Sequence, residues 1–137
     1  MSLDVGNETP RVLVVGGGDA DRTRWSDALR SVGLDVELEP DLERALLIAA
    51  ELRPSAIVLD LAIPGCDSLQ LAGAIRTDAR TWETALVALA PSVGLDVVAL
   101  ARCRGCDAVL SKSSSAHVLA TVVMRAITRR ARRVRAA

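Results

Sequence analysis

The chain has 137 residues, enough for one domain with a full core and no disulfide staples. Half of it is hydrophobic, yet it holds no Phe or Tyr and only two Trp, so an aliphatic core is expected. No apolar stretch approaches the length of a bilayer span, no signal segment opens the chain, and three cysteines make no secreted disulfide framework; a cytoplasmic protein is expected. The formal charge of zero conceals an asymmetry: every acid lies at or before Asp107, while six arginines follow Met124. Lys112 is the single lysine among 17 basic residues.

In chain order, residues 1–10 read as a polar leader. Arg11–Val15 is a strand, followed by a helix to about Val32 capped by Asp19 or Asp21. Trp25, Ala28, Leu29 and Val32 form the buried stripe of that helix, and Gly33 stops it. Leu34–Leu38 is the second strand. Asp41 caps a helix to about Leu52, which Pro54 prevents from continuing. Ser55–Asp60, apolar almost throughout, suits a central parallel strand buried on both faces. A loop through Pro64 and Gly65 leads to a helix near Ser68–Arg76. Then come a strand at Thr84–Ala90, a helix near Leu95–Arg104, a short strand at Ala108–Leu110, and a last helix capped by Ser114 or Ser115. This alternation predicts an α/β, doubly wound five-stranded parallel sheet in a three-layer sandwich, with ligands beyond the carboxyl ends of the strands.

Reading those strand ends gives Gly16 and Gly17, then Asp60, then Ala90, then Lys112. Asp60 could accept a phosphoryl group, with Lys112 steadying the transferred charge. Equally, the two could form a structural ion pair at the sheet edge.

The segments VLVVGGGDADR, AIVLDLAIPGCDSLQL, ALVALAP and GCDAVLSKS, in this order and spacing, resemble the receiver domain of two-component response regulators. The resemblance covers residues 11–128 and implies the flavodoxin-like receiver fold. Asp60, Leu61 and Ile63-Pro64-Gly65 match the phosphoacceptor loop, and Lys112 matches the family's lysine, although Ser113 stands where proline usually follows. It also exposes departures. The family places two acids after the first strand; with the phosphoacceptor and the carbonyl two residues beyond it, here Ala62, they hold Mg²⁺. This chain has Gly16 and Gly17 there. Ala90 stands where a Thr or Ser hydroxyl contacts the phosphoryl group, and Val109 where a Tyr or Phe changes rotamer. Valine is stiff at χ1 and too short for that task.

Mg²⁺ needs a near-octahedral set of hard oxygens, and Asp60 with a carbonyl is a poor site even if Asp19 turned inward. No metal or other cofactor is therefore expected. Without that cation, phosphoryl transfer to Asp60 should slow by on the order of a thousandfold or more. The expectation is a degenerate, non-enzymatic receiver working through protein–protein interaction, with Asp60 and Lys112 kept as a pair. A working phosphoacceptor at Asp60 controlling an output domain is one alternative. A nucleotide- or anion-binding domain using the Gly16–Gly18 loop, with Glu37 or Glu39 for a ribose, is another.

Other signals are weaker. Cys103-x-x-Cys106 could be a redox pair or half a zinc site, but with only Cys66 and His117 to add, buried filler is the better reading. His117 reads as a surface residue, and Trp82 as a lid or an anchor. The fourth helix is apolar on both faces at Val97–Ala101, and the last helix is expected to bury Val118, Leu119, Val122, Val123, Ala126 and Ile127 along one stripe. The resemblance implies a dimer or partner face on the fourth helix, fifth strand and fifth helix, with a histidine kinase or output domain as possible partners. Residues 129–137 read as an Arg-rich helix end or linker, with neither nucleic acid nor membrane as the expected partner.

Overall fold

The computed structural model describes residues 9–62 and 68–136. Five parallel strands, β1 (Arg11–Val15), β2 (Asp35–Glu39), β3 (Ala56–Asp60), β4 (Ala85–Ala90) and β5 (Ala108–Ser111), form one sheet in the order β2-β1-β3-β4-β5. Between and after them lie α1 (Asp19–Ser31), α2 (Leu42–Leu52), α3 (Ser68–Thr77), α4 (Leu95–Cys103) and α5 (Ala116–Ala136). This is the flavodoxin-like receiver fold expected from the sequence. No described helix is long and apolar enough to cross a membrane.

The period-two geometry of a strand divides the core. Val12 and Val14 of β1 face α1 and α5 with Trp25, Leu29, Leu119 and Val123. Leu13 and Val15 face α2, α3 and α4, where Ala45, Ala49, Ala72 and Ala101 let the helices lie close to the sheet. β3 and β4 are buried along their whole length. Trp25, 1% exposed, is the one aromatic ring in this aliphatic interior. Strand order reverses between β1 and β3, so the crevice beyond their carboxyl ends is the topological switch point.

Two helix ends match their sequence signals. Asp41 caps α2 by accepting from the Glu43 amide at 2.9 Å. Gly33 takes φ +88 after α1, with its amide on the Arg30 carbonyl.

Several expectations need correction. Gly18 is the N-cap of α1, so neither Asp19 nor Asp21 caps; both fall in the first turn, where their charge still suits the helix dipole. β2 starts one residue later than expected, at Asp35, whose amide bonds the Pro10 carbonyl. Ser115 rather than Ser114 caps α5, accepting from the Val118 amide at 3.1 Å. Val32 is 43% exposed because it is the C-cap, where the helical phase that would turn it inward has ended. Val118, on the first turn of α5, is also exposed, as is most of α4, which buries only Ala101.

The cysteines divide as well. Cys103 is exposed at the end of α4, whereas Cys106, beyond the Gly105 turn, is buried against the sheet. Cys66 lies outside the described residues. Burial pushes the Cys106 thiol from its ordinary 9.0 up to about 11. The unfolded chain therefore loses this proton at lower pH than the native one. The stabilisation is complete below pH 9 and is lost as pH rises from 9 to about 11. The loss should reach about 2–3 kcal/mol at the top of that window. Urea unfolding of the wild type and Cys106→Ala checks this: the variant should lack that pH dependence, and identical slopes would refute the assignment.

Candidate functional site

The site is built from the carboxyl ends of β1, β3, β4 and β5. Asp60 ends β3 with its side chain 4% exposed. Its Oδ1 accepts from the Ala62 amide at 2.8 Å, a local turn that fixes the carboxylate. Its backbone carbonyl accepts from the buried Ser68 hydroxyl at 2.8 Å, anchoring the start of α3. Its Oδ2 accepts from Lys112 Nζ at 3.1 Å.

Lys112 lies one residue beyond β5, placed by its amide bonding the Ala90 carbonyl at 2.8 Å. Arg24 of α1 then clamps the loop, donating to the carbonyls of Lys112 at 2.8 Å and Ser114 at 3.2 Å. Ser113, in the place of the usual proline, shares a hydroxyl–hydroxyl bond of 2.7 Å with Ser111. The ammonium has two further neighbours that the sequence reading missed. Asp21 Oδ2 is 3.5 Å away, and the Trp25 ring centroid 5.8 Å away, near enough for a cation–π contact. Lys112 is thus held by two carboxylates and an aromatic face.

Gly16 and Gly17 take φ +83 and +86, in the left-handed region that penalises any Cβ. At Gly17 a Cβ would also stand 2.8 Å from the Trp25 ring, which is too buried to move aside cheaply. Arg22 donates to the Gly17 carbonyl, and the Gly16 amide donates to the Glu39 carbonyl at 2.9 Å. Arg22 also pairs with Asp19, whose side chain is 99% exposed. Ala90 is buried, its methyl filling the end of β4, and Val109 packs beside the α2–α4 core. Ile63-Pro64-Gly65 lies outside the described residues.

The fit to a divalent cation follows from these donors. Both Asp60 oxygens are engaged, the two glycines bring no side-chain oxygen, and one of their carbonyls is held by Arg22. Among the described residues no group of three or more His, Cys, Asp or Glu side chains could hold a metal ion. These residues do not fit hexacoordinate Mg²⁺. What they do provide is a fixed ammonium between acids.

Asp60 is nearly dry, and Lys112 is its one ion-pair partner among the described residues. Lys112→Met should destabilise the domain by about 2–4 kcal/mol by leaving that carboxylate uncompensated. Asp60→Asn in the same chain should recover at least half of the loss. Denaturant unfolding of the two single variants and the double variant measures the coupling. A coupling near zero would mean the pair carries no charge compensation.

No family model matches the chain. It is 38% identical over 74 residues to the transcriptional regulatory protein PrrA of Mycobacterium leprae, and equally to that of Mycobacterium tuberculosis. The match takes in 54% of this chain and 32% of each relative, so the chain spans about a third of their length. Among solved structures it resembles the receiver domain of the putative response regulator NarL from Mycobacterium tuberculosis, with a TM-score of 0.77 and 25% identity over 88% of this chain and 98% of that one. It also superposes on a putative response regulator from Chloroflexus aurantiacus, with a TM-score of 0.82 and 21% identity over 88% of this chain and 99% of that one. The chemotaxis response regulator CheY4 of Vibrio cholerae gives 0.80 and 22%, over 87% and 99%. With its strand order, its Asp60 and Lys112 at the strand ends, and this agreement over nearly whole domains, the chain has the fold of a response-regulator receiver domain and resembles that class.

Proposed function

We propose that this receiver domain signals through protein contacts and does not depend on Mg²⁺-assisted phosphorylation of Asp60. The observation that supports this reading is the Lys112 ammonium, 3.1 Å from Asp60, 3.5 Å from Asp21 and over the Trp25 ring, beside glycines in place of acids. In-line attack by Asp60 on a phosphoryl donor needs a free carboxylate oxygen and a cation to offset the phosphoryl charge. Here one oxygen is tied to a backbone amide, and the available cation already neutralises the nucleophile. Ala90 offers no hydroxyl to hold a transferred group, and Val109 no aromatic ring to report it. Asp60 and Lys112 then serve as a structural pair that fixes the ends of β3 and β5, and no catalytic turnover is assigned to them.

The contact surface on this reading is the face made by α4, β5 and the start of α5. Leu95 is 89% exposed and Leu100 46%, with Val93 and Val118 each 41%, and β5 is an edge strand with no fully buried residue. Its occupant is a protein partner or a second copy of this chain, with a histidine kinase or an output domain as the classes the fold suggests. The matched relatives carry the name of transcriptional regulatory proteins, which favours an output in gene control for any longer protein containing this domain.

Intact-mass measurement after incubation with acetyl phosphate and Mg²⁺ tests the reading. Less than one chain in ten should gain a phosphoryl group in the time an ordinary receiver is fully labelled, given a barrier higher by several kcal/mol. Stoichiometric labelling that Asp60→Asn abolishes would instead establish the working phosphoacceptor.

A further inference from the structure

A second cluster of charge lies at the other end of the sheet, a strand's length from Asp60. Asp107, just before β5, accepts from the Leu86 amide at 2.8 Å and faces three guanidinium groups: Arg76 at 3.2 Å, Arg133 at 3.7 Å and Arg130 at 3.8 Å. One carboxylate cannot neutralise three cations. Burial pulls Arg76 below the usual guanidinium range; Asp107 opposes this, and Arg130 adds a smaller repulsion. Arg130 is mostly buried; it donates to the Trp82 carbonyl at 2.8 Å and has an Nε with no hydrogen-bond partner.

Beside this cluster is a cavity of about 540 Å³, within the range of small-molecule sites. Its floor is Pro54, Ser55 and Thr84 at the amino ends of β3 and β4, and α5 forms one wall. Arg53, Arg80, Arg130 and Arg135 line it against one acid, Glu83. Arg80 is paired with Asp78, but among the described residues Arg53 and Arg135 have no ion-pair partner. Arg53 is also the C-cap of α2 at φ 48, ψ 59, a left-handed conformation that glycine adopts freely and an arginine does not. A strained residue that keeps a long cationic side chain at a cavity mouth points to use of the side chain.

The geometry points to a binding site for a small phosphorylated ligand in this cavity. Its phosphate would be met by Arg53 and Arg135, with the Arg130 charge behind them, and its uncharged body would lie on Ile127, Ala131 and Val134. Guanidinium groups match phosphate oxygens in pairs, which an ammonium does not, and the apolar wall suits a ring system better than an inorganic ion. The site shares no residue with the Asp60 crevice, so it stands independently of the proposed function.

Calorimetric titration with ADP, pyrophosphate and adenosine, joined to amide shifts, tests it. ADP should bind at one site, shifting Ser55, Thr84 and Ile127, at least tenfold more tightly than adenosine and more tightly than pyrophosphate. Arg53→Gly should weaken ADP binding about tenfold while leaving the melting temperature equal or higher, because glycine relieves the left-handed strain. Asp60→Asn should leave ADP affinity unchanged. The proposal is overturned if ADP gives no saturable shifts at about 5 mM, well beyond ordinary site affinities. It is equally overturned if Arg53→Gly binds like the wild type, if the shifts fall on Gly16–Gly18, or if only duplex DNA binds and does so along Arg125, Arg129 and Arg132.

Discussion

Asp60 is the terminal residue of a strand buried on both faces, and its carboxylate cannot reach open water from there. Burying a carboxylate without partners costs several kcal/mol, and here its two oxygens are met by the Ala62 amide at 2.8 Å and by Lys112 at 3.1 Å. The rest of the crevice serves to hold that lysine. The β4–β5 ladder sets its backbone, Arg24 fastens the loop that follows, and Asp21 and Trp25 fix the ammonium from α1. Elements distant in sequence are therefore tied together by one cation.

Trp25 gives the arrangement its second consequence. As the one buried aromatic ring of an aliphatic core, it rises beneath Gly17, where a Cβ would stand 2.8 Å from the ring. The left-handed backbone of Gly16 and Gly17 adds about 1–2 kcal/mol to the cost of any side chain at either position. Restoring an acid pair is thus opposed by backbone conformation at both positions and by space at Gly17. On the proposed reading the departures at Gly16, Gly17, Ala90 and Val109 fit one another: small or stiff side chains stand where the resemblance implies a charged, hydroxylated or mobile one.

The sheet, its five strands and the Asp60–Lys112 pair were legible because each rests on a local signal. Continuous apolar runs mark buried parallel strands, and a charged residue ending such a run can only point at the crevice. Asp21 was not legible, since reaching Lys112 depends on how α1 rotates above the sheet. Trp25 read correctly as core, but its contact with Gly17 is tertiary and leaves no trace in spacing. Val32 and Val118 were placed inside because periodicity takes no notice of where a helix stops or how much of it overhangs the sheet, and Cys103 because it was read with Cys106 as small filler around Gly105. The Asp107 network was missed for a related reason: the arginines of α5 looked like a solvated end, yet the helix carries Arg130 back over the amino ends of the strands.

The two ends of the sheet have opposite characters. At the carboxyl end a lysine is enclosed by acids; at the amino end arginines outnumber them. The claim about the carboxyl end, that a fixed ammonium stands in for a divalent cation, is open to direct measurement by titrating Mg²⁺ into the protein while following the amides of Gly17, Ala62 and Lys112. With no free set of oxygens to capture the ion, these resonances should show no saturable change up to about 20 mM. Saturable shifts at all three, with a dissociation constant in the low millimolar range or tighter, would contradict it.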